Sequence, residues 1–200
     1  MTTGPHKSKN IADQAPKTLG GLASTSTLFP PTQGLLGRPN TTGRTHWGTR
    51  FGYFGTDRIL QTYLAGTEVL ALRFTARTRF GAIDLDATSP YHTLRTVAAL
   101  FTAAQAHNLR PTLCRSSESG GWHVYLWAQD FVASASMHAT LRAIAESAGI
   151  DRFENGVCEI YPDPNHAKQA FRLPAQAGFA WLSSAPQPTP LSRRSCRRST

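Results

Sequence analysis

The chain has 200 residues, 40% hydrophobic and 16% charged, with a formal net charge of +9. That length suits one domain with tails and a proper core, and no apolar run approaches the roughly 18 residues of a membrane helix. The start, MTTGPHKSKN, lacks the apolar stretch of a secretory signal, so a cytoplasmic protein with no membrane partner is expected.

The charge is unevenly spread. Residues 1–50 carry six Lys/Arg against Asp13 alone, and the last ten carry Arg193, Arg194, Arg197 and Arg198 with no acid, which leaves 51–190 balanced. Basic arms around a neutral body suit a polyanion such as nucleic acid, although basic tails also serve solubility alone. Cys114, Cys158 and Cys196 are far apart and show no CxxC spacing, which argues against a disulfide framework or a zinc knuckle.

In chain order, residues 1–45 are rich in Thr, Gly, Pro and Ser without periodicity and read as a loose or disordered basic arm. Residues 46–182 form the expected folded domain. Glu68–Phe74 and Phe80–Ala87 alternate as strands. Ser89-Pro90 supplies a helix N-cap and first-turn proline, followed by Leu94, Val97, Leu100, Phe101 and Ala104 at helical spacing to about His107. Thr112–Ser117 is a short strand, Ser119–Gly121 a turn and Trp122–Ala128 a strong strand. Ser134 or Ser136 caps a second helix with Met137, Leu141, Ile144, Ala145 and Ala148 inward, ending near Gly149. Gly156–Pro162 is a further strand and Ala170–Pro174 a short last one. The segment 183–200 is a Pro-rich, then basic, disordered tail; a linker ending in nothing hints at a further domain or a truncated chain.

From residue 80 to 162 the order is β-α-β-β-α-β, the split βαβ arrangement of ferredoxin-like and RNA-recognition (RRM-like) α+β folds. There the first and third strands are central neighbours and the fourth lies beside the first. Alternation then sends Ile83 and Leu85 toward the helices and Asp84 and Asp86 together to the opposite, uncovered face. The same test puts His123, Tyr125 and Trp127 on that face from the next strand, and Val157, Glu159 and Tyr161 from the last. Like charges this close repel unless a cation separates them. Hard Mg²⁺ or Mn²⁺ takes carboxylate oxygens and leaves positions for phosphates, and two such ions serve in-line phosphoryl transfer. Against this, a wet sheet face carries polar residues as a matter of course. Ser119, Gly120 and Gly121, just before His123, let backbone N–H groups approach a phosphate, or form an ordinary hairpin turn. Lys168 and Arg172 follow within reach and suit phosphate oxygens, or are solvated charges.

An hDhD strand motif (Ile83–Asp86), a Ser/Gly turn leading to a strand-borne His (Ser117–Trp127), a hydrophobic-acid motif (Cys158–Asp163) and FRLP (Phe171–Pro174) occur here in that order. The combination resembles the archaeo-eukaryotic primase superfamily over roughly residues 50–182. It is most similar to the primase-polymerase domains of mobile elements, phages and plasmids. The resemblance implies an RRM-like core with an N-terminal α/β extension, and a DNA primase or primase-polymerase that joins NTPs or dNTPs on a single-stranded DNA template. It implies Asp84 and Asp86 as metal ligands, completed by Glu159. His123 with Ser119, Gly120 and Gly121 would hold the incoming triphosphate, and Arg172 and Lys168 would neutralise phosphate. The third motif is often aspartate in that superfamily, which makes Asp163 a rival for Glu159. No zinc module and no GxxxxGK[ST] loop is present, so any helicase acts in trans or from a missing domain. Two other readings compete. One is a non-catalytic RRM-like module binding single-stranded nucleic acid on Tyr125, Trp127 and Tyr161. The other, a tyrosine nickase, requires a His-hydrophobic-His strand that the sequence lacks.

Overall fold

The computed structural model describes residues 35–39, 48–49, 65–116, 120–166 and 170–173. Among these described residues ten elements follow in order: β1 (Leu35–Pro39), β2 (Gly48–Thr49), β3 (Glu68–Arg73), β4 (Arg77–Leu85), α1 (Leu94–Ala106), β5 (Arg110–Arg115), β6 (Trp122–Ala133), α2 (Ser134–Ser147), β7 (Cys158–Tyr161) and β8 (Ala170–Arg172). The fold is mixed α+β with two antiparallel sheets, ordered β2-β1-β3-β8 and β5-β6-β4-β7. No helix among the described residues is long and apolar enough to cross a membrane.

Alternation within β4 to β7 divides the apolar residues between two cores. Ile83, Leu85, Val124, Leu126 and Ile160 pack against Val97, Leu100, Met137, Leu141 and Ile144 of the helices. This is the helix-side layer expected from the periodicity. Gly81 permits the close approach of α2: a Cβ there would stand 2.4 Å from Leu141 Cδ1 and 2.8 Å from the Tyr161 carbonyl oxygen.

The opposite face departs from expectation. It is covered, not bare. Phe80, Ala82, Tyr125, Trp127 and Tyr161 form a second core with Val69, Leu70 and Leu72 of β3 and Phe171 of β8. Tyr125 is 0% exposed, Trp127 5% and Tyr161 9%. The physical reason is apolar area: four aromatic rings on one sheet face favour burial at roughly 25 cal/mol per Å², and the second sheet supplies it.

Local departures have local causes. Leu35–Pro39 lies inside the expected loose arm but pairs with β3 across five residues. The first helix starts later than Ser89-Pro90, because the Ser89 N–H bonds the Asp86 carbonyl at 2.9 Å and its Oγ accepts from Tyr91 N at 3.1 Å, closing turns instead. Thr93 is the N-cap, its hydroxyl accepting from Thr96 N at 3.1 Å. Leu94, expected inward, is 73% exposed at the helix start. Ala133 caps α2 without a side-chain bond, while Ser134 Oγ donates to the Thr75 carbonyl at 2.6 Å. β6 runs five residues beyond Ala128, past an irregularity at Thr78–Phe80 of β4. There the Arg77 and Arg79 guanidiniums donate to the Phe131 and Gln129 carbonyls, each at 2.6 Å.

Candidate functional site

The two aspartates that alternation predicts on one face lie at and just past the end of β4, both partly buried. Asp84 is in direct register with His123 on one side and Glu159 on the other. Cross-strand partners bring their Cβ atoms to roughly 4.5–5.5 Å. Three strands therefore converge at one position. Asp86, just past the strand end, is partly buried like Asp84 and Glu159.

Electrostatics register the convergence. The Glu159 carboxyl is held above its ordinary value by burial first, then by the negative charge of Asp84 and, more weakly, Asp86. Against this, Tyr161 Oη donates to Glu159 Oε1 at 3.4 Å and lowers it. The neighbouring phenol of Tyr161 is pushed up by burial and by Glu159 and Asp84, and drawn back by Arg172. Burial, with Asp84 and Glu159 behind it, pushes the Cys158 thiol up to about 12. Burial comes first in each case, and the negative charge of Asp84 adds to it at all three groups.

Asp163, the rival third acid, lines a cavity shared with Glu159 but has different partners. Burial raises its carboxyl, but hydrogen bonds from His166 Nδ1 at 2.6 Å and Asn165 N at 2.8 Å outweigh that and hold it below the usual value. Its charge partners are His166 and His138, whereas those of Glu159 are Asp84 and Asp86. Of the two, Glu159 joins the aspartate pair.

His123 is 2% exposed, with its Nε2 3.3 Å from Asp84 Oδ2 but outside hydrogen-bond geometry. Its ring packs on Phe171 at 4.4 Å between centroids. The glycine turn abuts the same strand end: a Cβ on Gly121 would sit 3.1 Å from the Leu85 carbonyl oxygen and 3.4 Å from Ala87 N, flanking Asp86. Gly120 holds φ at +92°, where glycine is favoured. Arg172 is partly buried on β8. Ser119 and Lys168 lie outside the described residues.

Three residues near the site carried no signal strong enough to single them out for these roles. His92 Nε2 meets the Gly120 carbonyl at 3.0 Å while its ring lies 3.7 Å over Trp122. The Arg115 guanidinium lies 4.0 Å from where a Gly120 Cβ would be. Tyr125, expected as a stacking platform, instead donates its hydroxyl to the Arg172 carbonyl at 2.8 Å. Tyr125 and Trp127 stack on each other at 5.8 Å and 15°, so the platform reading loses the rings it needs. The His92 and Tyr125 placements follow from contacts between segments far apart in sequence.

Chemically, the cluster offers hard oxygen donors, a buried imidazole and a backbone turn. Among the described residues, no three His, Cys, Asp or Glu side chains form a ready-made metal cage. No protein-family model and no curated protein sequence matches the chain.

Proposed function

We propose that this chain is a DNA primase or primase-polymerase of the archaeo-eukaryotic primase type, built on an RRM-like core, which joins NTPs or dNTPs on a single-stranded DNA template. The observation that carries the reading is the mutual charge of Asp84, Asp86 and Glu159 across two adjacent strands, beside a buried histidine and a glycine turn. The donor set fits Mg²⁺ or Mn²⁺. Carboxylate oxygens are the ligands those ions prefer, and Mg²⁺ is held by one or two carboxylates plus substrate phosphates rather than by an all-protein cage. Asp84, Asp86 and Glu159 would hold the ions, which when bound supply charge neutralisation at the transferring phosphoryl group and activate the attacking hydroxyl.

The chain's own residues do the rest. Glu159 lies opposite Asp84 across the β4–β7 ladder, and Asp86 follows just past the end of β4. His123 and the N–H groups of the Gly120-Gly121 turn face the triphosphate, with Ser119 beside them in sequence. Arg172 and Lys168 offset phosphate charge, and the basic arms hold the template backbone. A helicase in trans or on a further domain would open duplex ahead of it.

The test supplies single-stranded DNA, labelled nucleotides and Mn²⁺ to wild type and to Asp84→Ala/Asp86→Ala. Removing several kcal/mol of transition-state charge stabilisation lowers incorporation by about 10²-fold or more. Equal activity in both proteins, or template binding with no synthesis under either metal, refutes the proposal. Within it, Glu159→Ala is inactive and Asp163→Ala active; the reverse result reassigns the third acid.

A further inference from the structure

β7 is an edge strand of its sheet, and beside it lies a cavity of about 430 Å³, the size of a small-molecule site. Glu159 lines the cavity, which therefore adjoins the candidate metal site on the flank away from the glycine turn. One wall is a stacking platform. The Arg142 guanidinium sits 4.4 Å over the Phe153 ring, steadied by its Nε donating to Glu146 at 3.0 Å. Asn155 and Asn165 add amides, each able to donate and to accept. Two of the lining acids are already engaged, Glu154 by Arg152 and Asp163 by His166. A planar platform with amides around it suits a nucleobase, which stacks on aromatic rings and guanidinium planes and hydrogen-bonds along its edges.

Strand order decides which nucleotide this is. Asp84 stands between His123 on β6 and Glu159 on β7, and the triphosphate is assigned to the β6 side with the glycine turn. In an in-line transfer the attacking and leaving oxygens lie on opposite sides of the phosphorus. The attacking hydroxyl therefore enters from the β7 side, where the cavity is. We infer that this cavity holds the nucleotide at the 3′ end of the growing strand, its base on Arg142 and Phe153 and its sugar toward Glu159. The 3′-oxygen bonds the α-phosphorus and the bond from that phosphorus to the β-phosphate's bridging oxygen breaks. Pyrophosphate leaves on the β6 side, and the hydroxyl proton passes to water. The inference deepens the nucleotidyl-transfer proposal and rests on it.

The test uses a DNA template annealed to a primer whose 3′-terminal base is 4-thiothymine, irradiated with the wild-type full chain and Mg²⁺. Trypsin cuts after Arg152 and Lys168, and fragmentation of the crosslinked peptide 153–168 localises the adduct. It is expected on residues 153–155 or 165–166. In Arg142→Ala, a change at a half-exposed side chain, the crosslinking yield falls about tenfold and the primer KM rises about tenfold, the scale of one lost base stack. The KM for the incoming nucleotide changes by less than about threefold, because only the primer terminus has lost ground-state binding. A wild-type adduct elsewhere, or none, overturns the inference, and that result stands even if the variant does not fold. A folded Arg142→Ala protein that crosslinks as well as wild type overturns it too. Wild type that extends no primer refutes the proposed function instead, while the position of the adduct still decides whether the cavity takes a strand end.

Discussion

Gly121→Ala tests whether the glycine turn holds the acid-bearing strand end in place. Its Cβ would stand 2.7 Å from Ser116 Oγ, 3.1 Å from the Leu85 carbonyl oxygen and 3.4 Å from Ala87 N. Unlike Gly120 at φ +92°, Gly121 is not in the left-handed region, so space alone decides the outcome. Carbon contacts are optimal at about 3.5–4.0 Å, and the nearest neighbours are a short buried side chain and backbone, so the turn and the Leu85–Ala87 segment must part by roughly half an ångström. Overpacking of this kind costs about 1–3 kcal/mol, less about 0.5 kcal/mol recovered from the stiffer unfolded chain. A net loss of about 0.5–2.5 kcal/mol lowers the melting temperature of a chain this size by about 1–10 °C. Because the displaced segment carries Asp86, incorporation falls further than stability does, by roughly 10- to 100-fold, the scale of a misplacement approaching 1 Å. The control removes the closest clash: in a Ser116→Ala background the same substitution meets Leu85 O first, at 3.1 Å, and a double-mutant cycle by thermal and urea denaturation reads a coupling of about 1 kcal/mol. An unchanged melting temperature in Gly121→Ala, or no coupling to Ser116, refutes the packing argument.

Stability also depends on pH through Glu159. Its folded pKa lies above the ordinary 4.5, so the native state binds that proton more tightly, and the stabilisation is complete below the ordinary value and lost as pH rises through the raised one. Thermal denaturation should therefore show Mg²⁺ or Mn²⁺ stabilising wild type at pH 7, much less at pH 4, and least in Glu159→Gln; equal stabilisation in all three contradicts the site. The Cys158 thiol, pushed up to about 12 and buried, stays protonated at pH 8, so iodoacetamide labels it only after unfolding, as peptide mass spectrometry will show; prompt labelling of the folded chain contradicts its burial. Gly81→Ala, with Leu141 Cδ1 at 2.4 Å and backbone at 2.8 Å, separates α2 from the sheet and costs about 1–3 kcal/mol or more. A circular-dichroism melt that matches wild type would show that α2 does not pack as described.

Periods are what a sequence displays. The two-residue alternation of Asp84 and Asp86 against Ile83 and Leu85, and the helical spacing of Val97, Leu100 and Ala104, were legible because each depends on neighbours a few residues away. So was the order of elements from β4 to β7, and with it the adjacency of the strands bearing Asp84, His123 and Glu159. The start of α1 was not. Ser89 and Thr93 are both acceptable caps by residue type, Ser the better, and hydrogen bonds of Ser89 to Asp86 and Tyr91 left the cap to Thr93.

The covered face had a readable warning that alternation alone did not weigh. Phe80, Tyr125, Trp127 and Tyr161 make the supposed wet side too apolar for water. What buries it was not readable, because β1, β3 and β8 come from segments more than a hundred residues apart at the extremes. Residue pattern by itself determined that the acids and the histidine share one side of a sheet. Tertiary structure alone decided that this side is roofed, that Asp163 pairs with His166, and that the Tyr125 hydroxyl donates to the Arg172 carbonyl. Alternation is set by backbone geometry within a strand, whereas the choice of what covers a face is a free-energy comparison over the whole chain.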